Sequence, residues 1–330
     1  MCTAFFGKAG VEARVYPIEK TPIIIIVAHS GETVLSKIDL HIHSDYSADG
    51  EFPVENILAM CRAKGMELIS ITDHNSVKSV YKVLKNTMGI QIISGVELDC
   101  ICQGKNYHLL GYGFDHTLKE FSEIEDNFVR QEREAASERI RLFREFTGIP
   151  LEAAFLTASS KNGIVTGEQI AEFVLAKENV SQYKILKPYL PGGEKSDMPN
   201  VHIYWDFFSS GKPADVPIHY ISLREGIDLI HKANGIAVLA HPGQNLKRNY
   251  TLLDGIIEEG IDGIEVFSSY HSAEEAAYFL SVAKRNKLII SAGSDFHGKN
   301  KPAIQLGGHG STICDDELLK SFKNTGQITV

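Results

Sequence analysis

The sequence predicts an α/β protein in which repeated strand–helix units build a parallel sheet or barrel, interrupted by a mainly helical insertion. Three observations carry this reading. Seven short apolar runs, IDLHIH, ELISITDH, IQIISGVEL, YHLLGYG, IAVLAH, GIEVFSS and LIISAG, have the length and composition of strands. Amphipathic stretches of helical period lie between several of them and end near Gly or Asn, as helix C-termini commonly do. One region, residues 118–146, abandons the alternation for a sustained helical pattern. Repeated βα units demand a parallel arrangement of strands.

Taken in order, residues 1–36 form an N-terminal extension outside the βα pattern. Its longest apolar run, IIIIVA at 23–28, is far too short to span a bilayer. No charged-then-apolar leader with a small-residue cleavage site precedes it, so the cytoplasm is the default location. Residues 37–115 make the first part of the barrel. In its first strand Ile38, Leu40 and Ile42 alternate with Asp39, His41 and His43, so both histidines leave the same face. PVENILAMCRAKG and SVKSVYKVLKN supply the helices that follow the first two strands. Residues 116–218 form the insertion. Leu118, Phe121, Ile124, Phe128, Ala135, Ile140 and Phe143 keep near a helical period until Gly148 and Pro150 stop it; GEQIAEFVLAKEN and an irregular aromatic segment follow. Residues 219–330 complete the barrel with SLREGIDLIHKANG, NYTLLDGIIEEG and SAEEAAYFLSVAKRN as its helices.

The chain has 330 residues, 43% hydrophobic and 23% charged, the composition of an ordinary globular protein with one large core or two modest ones. A formal net charge of −9 argues against general binding of duplex nucleic acid. It also means that a phosphorylated substrate needs cations to counter the protein's own field. Five cysteines do not form a disulfide framework, and Cys100 and Cys102 read as buried free thiols.

Metal-capable residues gather at the strand ends. The first strand and its loop offer His41, His43 and Asp49; ITDHN offers Asp73 and His74; GVELD offers Glu97; NYHLLGYGFD offers His108; LAHPG offers His241; GSDFHG offers Asp295 and His297. Each alone has a plainer explanation: a Thr-Asp-His can be a turn and cap, and a histidine in apolar text is usually a satisfied core residue. Jointly they do not, because ligand types recur at the C-terminal end of nearly every strand, where barrel enzymes gather their chemistry. Burying so many imidazoles and carboxylates without cations would be costly. His29, His116, His202, His219, His231 and His309 fall in loops, helices or the insertion and read as structural or solvated.

The ordered series HIHSDYSADG, ITDHNS, GVEL, YHLLGYGFD, LAHPG and GSDFHG resembles the polymerase and histidinol phosphatase (PHP) family of metal-dependent phosphoesterases, from residue 37 to about 308. Within it the pattern is closest to nucleotide phosphatases and 5′-3′ exoribonucleases that carry a helical insertion. The resemblance implies a distorted seven-stranded (β/α) barrel holding two to three divalent ions. It implies that His41, His43 and Asp295 bind one ion, with Glu97 bridging to a second completed by His108 and His241. Asp49, His74 and His297 then hold the third. Glu97, Asp295 and His241 stand at the catalytic core. This mixed nitrogen and oxygen set suits manganese, iron or zinc better than magnesium or calcium. Relatives usually keep Ser and Asp adjacent in the first loop; here Ala48 separates Ser47 from Asp49, and Asp45 competes for the role.

The implied activity is hydrolysis of a phosphate ester in a small phosphorylated substrate or short oligonucleotide. A water bridging two divalent ions would serve as nucleophile, since no Ser or Cys nucleophile motif appears. A metal-dependent amidohydrolase also begins with His-x-His, but usually adds a metal-bridging lysine. A non-catalytic metal-binding module of a larger machine is the alternative outside enzymes. For substrate binding the candidates are His271 in SYHS, against a helix cap, and Lys299 and Lys301, against a solvated loop. The arginines of residues 130–144 alternate with glutamates and read as a solvated helix face laced with ion pairs. These cations predict a preference for substrates with a second phosphate, such as a nucleoside 3′,5′-bisphosphate.

Overall fold

A computed structural model of the chain describes residues 3–6, 11–16, 23–28, 36–160 and 163–323. His29 lies outside the described residues. In the extension, β1 (Thr3–Phe6), β2 (Val11–Tyr16) and β3 (Ile23–Ala28) pair antiparallel in that order, so the IIIIVA run is an edge strand of a small sheet.

Strands β4 (Ile38–Ile42), β5 (Leu68–Ile71) and β6 (Gln91–Ile92) form a parallel sheet. A second sheet contains β7 (Gly95–Cys102), β8 (Lys105–Tyr112), β9 (Ile221–Ser222), β10 (Ile236–Leu239), β11 (Gly263–Ser268) and β12 (Ile289–Gly293). Its order is β12-β11-β10-β8-β7-β9. Two expectations change here. IQIISGVEL is not one strand; it divides into β6 and β7, which belong to different sheets. YHLLGYG does not run parallel to its neighbours, because β8 is antiparallel to both β7 and β10. The cause is the two-residue turn at Gln103 and Gly104, with φ of 49° and 72°. Such a turn makes a hairpin, whereas a parallel crossover needs a dozen or more residues. Among the described residues the strands form two sheets rather than one continuously hydrogen-bonded barrel.

The helices begin where their chemistry allows. Thr166, Ser222 and Ser272 each form a capping box with the Gln or Glu three residues on, opening the helices Gly167–Leu175, Leu223–Lys232 and Ala273–Asn286. The pattern at 118–146 is a single helix, Lys119–Thr147, ending before Gly148. Between β8 and β9 the helices pack on a core of their own, which includes Ile140, Phe143, Ile170, Val174, Leu186 and Phe208. The larger core runs between the second sheet and its helices, through Val96, Leu98, Leu109, Ile227, Val238 and Phe279. Cys61, Cys100 and Cys102 are buried free thiols.

Candidate metal centre

All five residues of β4 are buried, on both faces. Its apolar residues fill cores, while its polar face turns into an enclosed polar cluster. Asp39 there accepts the backbone N–H groups of His41, Ser294 and Gly307, and so ties β4 to the segments after β12. His41 and His43 point at two carboxylates. His41 Nε2 lies 3.1 Å from His43 Nε2, 3.1 Å from Glu97 Oε2 and 3.3 Å from Asp295 Oδ1. His43 Nε2 lies 3.1 Å from both Glu97 Oε2 and Asp295 Oδ1.

The protons of these rings can be placed. Glu265 Oε1, 2.9 Å from His41 Nδ1, accepts that N–H. Ser47 Oγ gives its proton to Asp73 and accepts the His74 backbone N–H, so it accepts a further N–H from His43 Nδ1 at 2.9 Å. Both neutral rings therefore turn Nε2 lone pairs toward each other and toward two carboxylate oxygens. Such an arrangement repels itself unless a metal cation or an added proton lies among the four atoms. Ligand atoms in a tetrahedral site with bonds of about 2.0 Å stand roughly 3.3 Å apart, close to the separations here.

Three more groups adjoin the first. In one, Glu97 Oε1 lies 2.9 Å from His108 Nδ1 and 3.1 Å from His241 Nε2. His43, Asp49, His74 and His297 make another, with His297 Nε2 3.1 Å from Asp49 Oδ2, and His74, Asp99 and His108 the last. In each group every ligand atom lies within 4.8 Å of the others. Asp49 Oδ1, His74 Nδ1, Asp295 Oδ1 and His297 Nε2 are buried without a hydrogen-bonding partner. Buried polar atoms are rarely left so, and their short approaches lack hydrogen-bond geometry because they aim at common points. The donor set fits divalent cations. Without them, burial opposes ionised imidazole, yet Glu97, Glu265 and Asp295 together hold His41 well above the ordinary histidine range. Burial likewise favours a neutral Glu97, but His41, His74 and His108 hold it well below the carboxylate range.

Local backbone conformation serves this convergence. Asn75, His241 and Asp295 adopt positive φ of 52°, 20° and 59° at three strand ends. Each is costly for a residue with a side chain and persists where surroundings enforce it. The surroundings are visible: Asp295 N–H donates to His41 O, His241 N–H to Glu265 Oε2, and Asn75 N–H to Glu97 O.

The structure thus brings together His41, His43, Asp49, His74, Glu97, His108, His241, Asp295 and His297. Asp45 belongs to none of these groups. Asp73 accepts from Ser44 N–H and Oγ and from Ser47 Oγ, holding the loop that carries Asp49. Among the substrate candidates, Lys301 reaches the cluster, with Nζ 2.6 Å from Asp295 Oδ2, which also accepts the Tyr270 hydroxyl. The other two candidates have partners of their own. His271 donates from Nδ1 to Val266 O and accepts Gly243 N–H at Nε2. Lys299 pairs with Glu172 on the helix Gly167–Leu175, 2.6 Å away, outside the cluster. The arginine helix is solvated at Arg130 and Arg141, as expected, but Arg139 is buried and forks onto Glu132. His202, His231 and His309 take other partners, Asp197, Asp262 and the Ile38 carbonyl. Glu265 and Asp99 went unremarked in the sequence. The period of two, which puts Asp99 on the face of Glu97, was the available signal for the second.

Residues 39–166 match the PHP domain family. The chain is 28% identical over 265 residues to a phosphoribosyl 1,2-cyclic phosphate 1,2-diphosphodiesterase from Eggerthella lenta, covering 79% of this chain and 94% of that one. It is 27% identical over 279 residues to a 3′,5′-nucleoside bisphosphate phosphatase from Chromobacterium violaceum, covering 83% and 91%. The 5′-3′ exoribonuclease Rnm of Escherichia coli is 27% identical over 279 residues, covering 82% and 87%. A solved structure from Bifidobacterium adolescentis, assigned as a metal-dependent phosphoesterase, superposes with a TM-score of 0.69 at 22% identity, over 90% of this chain and 98% of that one. At that identity the likeness establishes the fold.

Proposed function

We propose, from the PHP domain that this chain carries, that the protein is a metal-dependent phosphoesterase acting on a small phosphorylated substrate or a short oligonucleotide. The observation that carries this is the facing of unshared lone pairs on His41, His43, Glu97 and Asp295. These four would hold one ion, Glu97 with His108 and His241 a second, and Asp49, His74 and His297 a third. Manganese, iron or zinc suits these donors. Bound there, the ions would supply water of pKa about 7 and positive charge against the phosphate oxygens.

The chain's own residues do the rest. Glu265 fixes the His41 ring, and Tyr270 with Lys301 fixes the outer oxygen of Asp295. An ammonium carries three donors; Lys301 spends one on Asp295, and we assign the others to a substrate phosphate oxygen. With His271 and Lys299 engaged elsewhere, the preference for a second phosphate rests on Lys301 alone. We read the two sheets as arcs of one distorted barrel, seven-stranded when the two-residue strands β6 and β9 are set aside, supported by isolated parallel bridges at both seams, Ile42 with Phe296 and His74 with Glu97. Residues 116–218 are its inserted domain, supported by their separate core. No helix among the described residues is long and apolar enough to cross a membrane; the buried free thiols support a cytoplasmic setting.

The test is hydrolysis with manganese, read by phosphate release from nucleoside 3′,5′-bisphosphates and sugar phosphates and by chromatography of the products from cyclic phosphates and 5′-phosphorylated oligonucleotides, before and after chelation. Turnover of at least one class, abolished by chelator and restored by metal, is expected. Metal-free protein with undiminished turnover would sink the reading.

A further inference from the structure

Asp99 stands opposite His108 across the β7–β8 hairpin, in direct register. Its Oδ1 lies 3.0 Å from His108 Nε2, while the other ring nitrogen, Nδ1, faces Glu97. A carboxylate so placed can accept the Nε2–H of the tautomer that leaves the Nδ1 lone pair aimed at the cluster. Asp99 also grips the turn that bears His74. Asn75 donates its amide to Asp99 Oδ2, and its own carbonyl oxygen accepts the Asp99 backbone N–H at 3.0 Å. His74 Nδ1 lies 3.9 Å from Asp99 Oδ2. One side chain thus touches ligand-bearing segments from two strands. On its outer side Asp99 borders a cavity of about 410 Å³ that Asn75, Phe128 and Tyr220 also line. That places it at the wall of the cluster rather than at its centre.

We propose that Asp99 is a positioning residue for the metal centre, setting the His108 ring for the ion shared with Glu97 and holding the His74 turn through Asn75. This rests on the metal-dependent reading above. The physical basis is that a carboxylate behind a ligating imidazole fixes its orientation and raises its basicity, and loss of such a partner typically costs about 10- to 100-fold in metal affinity.

The experiment is calorimetric titration of chelator-stripped protein with zinc and with manganese, alongside thermal unfolding of the ion-free form. Wild type, Asp99→Ala, Asp99→Asn and Asn75→Ala are compared. Asp99→Ala should weaken at least one metal equivalent by about 10- to 100-fold, with ion-free Tm close to wild type. Asp99→Asn, isosteric and able to accept the same N–H without the charge, should fall between them; it also serves if the alanine variant does not fold. Asn75→Ala should bind the ions more tightly than Asp99→Ala. Wild-type affinities in both Asp99 variants would overturn the proposal. So would a lowered ion-free Tm with unchanged affinities, since that marks a purely structural role. Failure of wild type to bind any divalent ion would instead defeat the metal-dependent reading itself.

Discussion

Glu97 shows how much one residue can be asked to do. It is buried, Oε2 faces His41 and His43, and Oε1 faces His108 and His241. Glu97→Gln keeps the shape but replaces half of a carboxylate with an amide that donates into acceptors. We expect loss of bound metal and of phosphate release together, with circular dichroism unchanged; elemental analysis and a release assay on one preparation check this. Glu168, at the start of the helix Gly167–Leu175, is a different case. Burial, then the charge of Asp49, pushes its carboxyl up to about 7. A carboxyl raised in the folded state binds more protons there than when unfolded, so its cost appears as pH rises from its unfolded value through about 7. Ion-free Glu168→Gln should therefore gain stability over wild type at pH 8 and not at pH 4. Equal denaturant midpoints at pH 8 would contradict this.

Elements act by where they let backbones approach. A Cβ on Gly293, at the end of β12, would lie 2.1 Å from His41 Cβ and 2.7 Å from Glu265 Oε1. Neither neighbour can yield without moving the His41 ring or the carboxylate that orients it. Gly293→Ala should thus lower metal content and activity although no ligand is removed, and metal analysis against wild type checks it. The β7–β8 hairpin illustrates the same point in topology. A turn of two residues reverses the strand, and the reversal sets Asp99 opposite His108.

Across the whole molecule, the helices between β8 and β9 are seated on the strand-end loops by polar contacts. Gln169 Nε2 donates to Ala48 O, Lys299 pairs with Glu172, and Asn200 donates to Asn300, which in turn donates to Asp49 O. Exposed pairs such as Lys299–Glu172 contribute little individually. Arg139 differs, because it is buried on Glu132 and also donates to Val165 O just ahead of the seating helix. Arg139→Met leaves Glu132 buried and uncompensated and should cost about 3–5 kcal/mol. The double variant with Glu132→Leu should recover part of it; denaturant unfolding of both measures the difference.

Several features were legible without coordinates. The residues that gather in the candidate metal groups were readable because strand period and strand ends are local properties, and HIHS, ITDH, GVE and SDFH each announce themselves within a few residues. Helix starts were legible for the same reason, since a capping box spans four residues. The direction of β8 was written in a two-residue turn, yet the wider strand–helix alternation suggested a parallel neighbour. What only tertiary structure decided was which atom meets which. His271 and Lys299 carry the chemistry of phosphate binding, but packing gave their polar atoms to Val266, Gly243 and Glu172. Asp99 and Glu265, single acids in apolar strands, became partners of His108 and His41 only because distant strands met there. Sequence pattern specifies the face on which a side chain leaves its element; the partner waiting on that face is set by long-range packing, which no local pattern contains.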